Sequence, residues 1–183
     1  MTRHQKTLKM VLAALFLALA YILPFLTGQI PEIGAMLCPM HLPVLLCGYA
    51  CGLPWGLAVG FTAPILRSLL TGGFPPMFPT AVCMAFELAT YGAAAGLLHR
   101  LLPRKKPYIY CSLLAAMLLG RLVWGAATFV CLGASGGSFP LAAFLAGAFT
   151  NAIPGILAQI LLVPPTVMLL DRFGITKSSD KGR

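Results

Sequence analysis

Acidic side chains are scarce. Asp and Glu together number 4 in 183 residues, and charged residues of both signs make up 9%, against ~25% in an ordinary soluble domain. A soluble domain of this size needs a charged exterior, and these residues cannot supply one. Catalytic sets are missing too. There is no phosphate loop of the GxxxxGK[ST] type, no HExxH and no paired carboxylates. Ser68, Ser112, Ser135 and Ser138 have no histidine in register with them. The chain is therefore expected to be no enzyme, and it cannot hydrolyse ATP through a P-loop. Metal ligands are equally thin: Cys38 and His41 lie close together, but no second pair answers them, so no metal site is expected. Cys47, Cys83, Cys111 and Cys131 fall within or beside apolar runs, where cysteine acts as a small hydrophobe, and no disulfides are expected.

What is abundant is apolar: 59% hydrophobic residues and a mean hydropathy of +0.90. The natural solvent for such a surface is lipid. A hydrocarbon core of ~30 Å takes about 20 helical residues, and the apolar runs then give six helices, at about 7–26, 41–51, 55–71, 80–102, 108–132 and 140–170. The first is too long for the apolar core of a signal peptide and has no small-residue cleavage site after it, so it reads as a membrane helix. The last is long enough to bend, with Pro154 and the Pro164–Pro165 pair as the bending points. The second is short for a span and would have to tilt or thin the bilayer. The expectation is an all-α integral membrane protein, one domain over 1–183, in the cell membrane, with a basic cytoplasmic tail at 171–183.

The formal net charge of +9 could suggest nucleic acid, but its distribution points to topology. Basic residues gather at Arg3, Lys6 and Lys9, then at Arg100, Arg104, Lys105 and Lys106, then at Arg172, Lys177, Lys181 and Arg183. With six helices and the first exiting outward, all of these fall inside and none outside. Both termini are then cytoplasmic. Small residues one turn apart, at Gly48 and Gly52, Gly56 and Gly60, and Gly92 and Gly96, let helix backbones approach closely, and internal packing is the better reading for them. Ala14 and Ala18 repeat the spacing on the first helix.

Arg67, Glu87 and Arg121 remain inside the spans, where each costs about 2.5–3.5 kcal/mol on insertion scales and must face a partner or a wet cavity. Counted from the outer helix ends at 1.5 Å per residue, Arg67, Glu87, Arg121 and Asn151 lie roughly 8, 10, 16 and 16 Å deep. Helical spacing groups Thr80, Met84, Glu87 and Tyr91 on one face, Met117, Arg121, Trp124 and Thr128 on another, and Phe144, Asn151 and Gly155 on a third. If these faces converge, they line an outward-opening site with apolar walls and a few placed polar groups, as small-molecule sites have. Arg67, Glu87, Tyr91, Arg121, Trp124 and Asn151 are the candidate binding residues. Arg67 and Glu87 sit on helices joined by a short turn and are expected to pair, either as a structural lock or within the site. Arg121 is then left without an acid. A buried cation without a partner calls for an anionic ligand, and a guanidinium suits a carboxylate. The alternative is that Glu87 contacts a cationic ligand. His41 reads as a cap or loop residue.

The segments from Met40 to Gly52 (MHLPVLLCGYACG), Gly60 to Pro79 (GFTAPILRSLLTGGFPPMFP) and Met84 to Gly92 (MAFELATYG), with the Ala14/Ala18 pair and the six-helix plan, resemble the substrate-binding S components of energy-coupling factor (ECF) vitamin transporters. The resemblance covers nearly the whole chain. It implies a cavity among helices 4–6 capped by loops, and high-affinity binding of a vitamin or related micronutrient, with pantothenate an anionic example. It also implies docking on a membrane T component through Ala14 and Ala18. Two partner ATPase subunits would use the ATP, so this chain needs no cofactor of its own. A self-standing ion-coupled small-molecule transporter, with Glu87 as its proton site, is the rival reading.

Overall fold

The structure, a computed structural model, describes residues 3–26, 39–103, 105–134, 136, 140–147, 152–174 and 176. Among them every regular element is helical: α1 (Arg3–Leu26), α2 (His41–Cys51), α3 (Leu53–Leu70), α4 (Val82–Leu101), α5 (Lys106–Ala134), α6 (Leu141–Leu145) and α7 (Ile153–Arg172). A wide turn at Met77–Ala81, with Phe78 extended, feeds α4. Five helices, α1, α3, α4, α5 and α7, are long and apolar enough to cross a membrane, and α2 is a shorter apolar helix of 11 residues.

α2 lies at the centre. All of it but Leu42 is buried, and it packs against α1, α3, α4 and α7. A helix apolar all round belongs in an interior, which here resolves the problem of its length: other helices cover its sides. Lipid tails are as apolar as leucine, so what holds such a bundle is close packing rather than expulsion from water. The glycines supply it. A methyl on Gly56 would come within 2.5 Å of the Gly92 carbonyl oxygen, and one on Gly96 within 2.5 Å of the Leu53 nitrogen. Gly48 and Gly60 are pressed just as tightly against α4 backbone. Gly52, with φ of 91°, takes the left-handed conformation that turns the chain between α2 and α3.

α1 shows two faces. Lys9, Ala13, Phe16, Ala20 and Pro24 are buried at helical spacing, whereas Met10, Val11, Leu15 and Ile22 are each more than half exposed. Ala14 and Ala18 are on the exposed side, so their spacing serves no close packing among the described residues.

The run expected as one helix over 140–170 is two helices, Leu141–Leu145 and Ile153–Arg172. Pro154 does not bend a continuous helix; it stands in the first turn of α7, where its missing N–H would have had no partner anyway. Residues 148–151, including Asn151, lie outside the described residues. At the end of the bundle bearing Arg100, the Tyr49 hydroxyl and Ser112 Oγ are 2.9 Å apart, and His99 Nε2 lies 3.8 Å from Asp171 Oδ1. These polar contacts join α2 to α5 and α4 to α7.

Candidate functional site

The buried charges meet at the other end of α2. Glu87, on the second turn of α4, is 2% exposed. Its Oε1 lies 3.0 Å from Arg121 Nη1 on α5 and 3.4 Å from His41 Nε2 at the first residue of α2. Three helices thus bring a carboxylate, a guanidinium and an imidazole to one point. The first turn of α2 also carries unsatisfied N–H groups and the positive end of the helix dipole, which favour negative charge. Tyr91, one turn beyond Glu87, packs edge-on against His41 with centroids 5.0 Å apart. Its ring fills the space left by Gly120, where a methyl would come within 2.9 Å of Tyr91 Cε2.

Arg67 is not Glu87's partner, which corrects the expected pairing. Its Nη1 approaches the Met40 sulfur at 3.4 Å, and its guanidinium lies 5.5 Å from the centroid of the Phe74 ring. Local structure sets this up. α3 ends at Thr71, whose hydroxyl donates to the Arg67 carbonyl oxygen at 2.6 Å and also reaches the Phe74 carbonyl. Gly72 and Gly73, with φ of 70° and 93°, let the chain fold back so that Gly73 N–H donates to Ser68 O at 2.8 Å. The turn thereby lays Phe74 over Arg67. A sulfur and an aromatic face are weak partners for a buried cation. Among the described residues no carboxylate lies within ion-pair distance of Arg67.

Arg121 is the arginine that has an acid, so the inference of an anionic ligand passes from Arg121 to Arg67. Trp124, one turn along α5 from Arg121, stacks on Phe144 of α6 with centroids 6.3 Å apart and planes at 24°. Gly147 packs against its indole and Gly125 against Phe144. Of the six candidate residues, then, Glu87, Tyr91 and Arg121 converge, Arg67 and Trp124 lie beside them with partners of their own, and Asn151 falls outside the described residues. His41, expected as a cap or loop residue, is a buried member of the cluster. A histidine inside an otherwise apolar run was the signal, since a polar ring there must face something polar. Among the described residues, no three His, Cys, Asp or Glu side chains group to hold a metal ion.

Buried basic and acidic groups lie at one level of an otherwise apolar helical bundle, as a membrane binding subunit requires, and residues 8–167 match the family described as the ECF transporter, substrate-specific component. The chain belongs to that family. It is an S component, the substrate-binding subunit of an uptake transporter, and a multi-pass membrane protein. No curated protein and no solved structure gives a significant match. The matched span takes in the exposed alanines of this S component, the His41–Glu87–Arg121 cluster and Arg67.

Proposed function

We propose that this S component captures a small carboxylate-bearing vitamin or vitamin precursor, of the size and charge of pantothenate, at the level of Glu87. Arg67 grips the carboxylate through its planar fork. The Glu87–Arg121 pair and His41 form a polar wall, Tyr91 and Trp124 pack on the body of the ligand, and Asn151 hydrogen-bonds one of its polar groups. The S component then docks through Ala14 and Ala18 on a T component, and two ATPase subunits supply the energy from ATP. The observation that carries the reading is a guanidinium 8% exposed that, among the described residues, meets a thioether and a phenyl ring and no carboxylate. Desolvating a cation costs several kcal/mol, and a bound carboxylate is the partner that would offset it. A cationic ligand on Glu87 is disfavoured because that carboxylate already faces Arg121.

The test begins with mass spectrometry of the small molecules that co-purify with the protein in detergent, followed by calorimetric titration of the compound found. Removing a desolvated charge partner costs ~2–5 kcal/mol, or roughly 30-fold to several-thousand-fold in affinity. Arg67→Ala should lose at least 30-fold, and Arg67→Lys should recover only part of it, because lysine lacks the fork. Unchanged affinity in Arg67→Ala would overturn the assignment. Uptake by the purified chain alone in vesicles, without ATPase partners, would favour the self-standing carrier instead.

A further inference from the structure

A groove of about 480 Å³ runs along the outside of the bundle between α3 and α4, and none of its lining residues belongs to the charged cluster. Its walls are Leu53, Leu57 and Phe61 on one helix and Phe86 and Leu97 on the other; its floor is Ala89, Ala93 and Ala94. Apart from Leu53, which is half-buried, the wall residues are exposed, Leu57 by 45% and Phe86 by 47%. The one hydroxyl in the lining, that of Thr90, donates to the Phe86 carbonyl at 2.8 Å, so no free polar hydrogen is offered to an occupant.

The two ends differ. At one, Phe61 and Phe86 meet edge-to-face with centroids 5.9 Å apart and close the groove. At the other, the α4 stripe of Phe86, Thr90, Ala93 and Leu97 continues by one turn to Arg100. Arg100 is exposed and faces no carboxylate within ion-pair distance among the described residues. Lys105 and Lys106 follow in sequence, also exposed. From Phe86 to Leu97 the helix rises about 16 Å, about half of the ~30 Å hydrocarbon core, which is the depth of one leaflet's acyl chain. A partner's spanning helix, or that of a second copy, would have to run past the phenyl pair. A single acyl chain would stop at it.

We propose that this groove holds one acyl chain of an anionic phospholipid whose phosphate sits on Arg100. The bare α3–α4 seam is then a lipid site rather than a protein interface, and it anchors the basic end of the bundle to acidic headgroups.

The protein is reconstituted in nanodiscs of equal phosphatidylglycerol and phosphatidylcholine, and the lipid that stays bound is read by native mass spectrometry. One phosphatidylglycerol per protein, retained over phosphatidylcholine, is expected. A basic residue at an acidic lipid surface is worth ~1 kcal/mol, so Arg100→Gln should reduce the preference about fivefold. Ala93→Phe, which fills the groove from its floor, should abolish retention of both lipids. A photoreactive phenylalanine at the exposed Leu97 gives an answer that does not depend on that variant folding: cross-links to lipid are expected. Equal retention of the two lipids by the wild type, or cross-links from position 97 to a second copy or to another protein, would overturn the proposal.

Discussion

Glu87 has one close guanidinium, that of Arg121 at 3.0 Å, and both groups are buried. Breaking such a pair by removing one member costs ~3–5 kcal/mol, because the survivor stays buried without its partner, whereas replacing both with apolar residues of similar size is often neutral. Arg121→Met should therefore lower the thermal unfolding midpoint in detergent sharply, and the double variant Arg121→Met with Glu87→Met should recover most of the loss. Recovery would separate this pair from Arg67, whose loss should weaken binding more than folding. The three ionisable residues and their need for partners were legible in the sequence. The pairing was not: the short turn joining their helices favours Arg67 as the partner of Glu87, and spacing along single helices does not show how far their ends are offset. α5 continues to Ala134, while α4 begins only at Val82 after a wide turn. That offset sets Arg121 level with Glu87.

At the scale of the element, the close approach of α2, α3 and α4 depends on positions where no Cβ fits. Overpacking a tight core typically costs ~1–3 kcal/mol, so Gly56→Ala should destabilise the protein and loosen the setting of Glu87 and Tyr91 on α4. Gly133, near the end of α5, is the control: a methyl there meets nothing within 4 Å. Gly133→Ala should be neutral or stabilising by about 0.5–1 kcal/mol, as alanine is favoured over glycine inside helices. Differential scanning fluorimetry on both variants checks the contrast. The glycine pairs announced this packing through their spacing. The central position of α2 was not announced, since a short apolar run looks the same whether lipid or protein surrounds it.

For the whole molecule, orientation and docking are the open tests. A cysteine at Ser138, in a background without native cysteines, should label from outside with an impermeant maleimide; Ser138 lies outside the described residues, and this expectation rests on the basic residues gathered at the other loops. Labelling from the inside only would reverse the site's depth. Ala14 and Ala18 lie on the exposed face of α1, so Ala14→Trp should leave binding by the isolated chain nearly intact while stopping uptake by the assembled transporter. Equal loss of both would assign the pair to folding.

The burial of α2 has a consequence for biogenesis. Its 11 residues rise only about 16 Å, too short a stretch to halt in a bilayer alone, and its neighbours in the finished bundle come from both ends of the chain: α1 before it, α4 and α7 after it. The five longer helices can each enter the membrane as they emerge. α2 can become fully enclosed only after α7, synthesised last among these, has arrived. Its enclosure is thus completed late in assembly, whereas the His41–Glu87–Arg121 cluster draws only on α2, α4 and α5 and can close before α7 has packed.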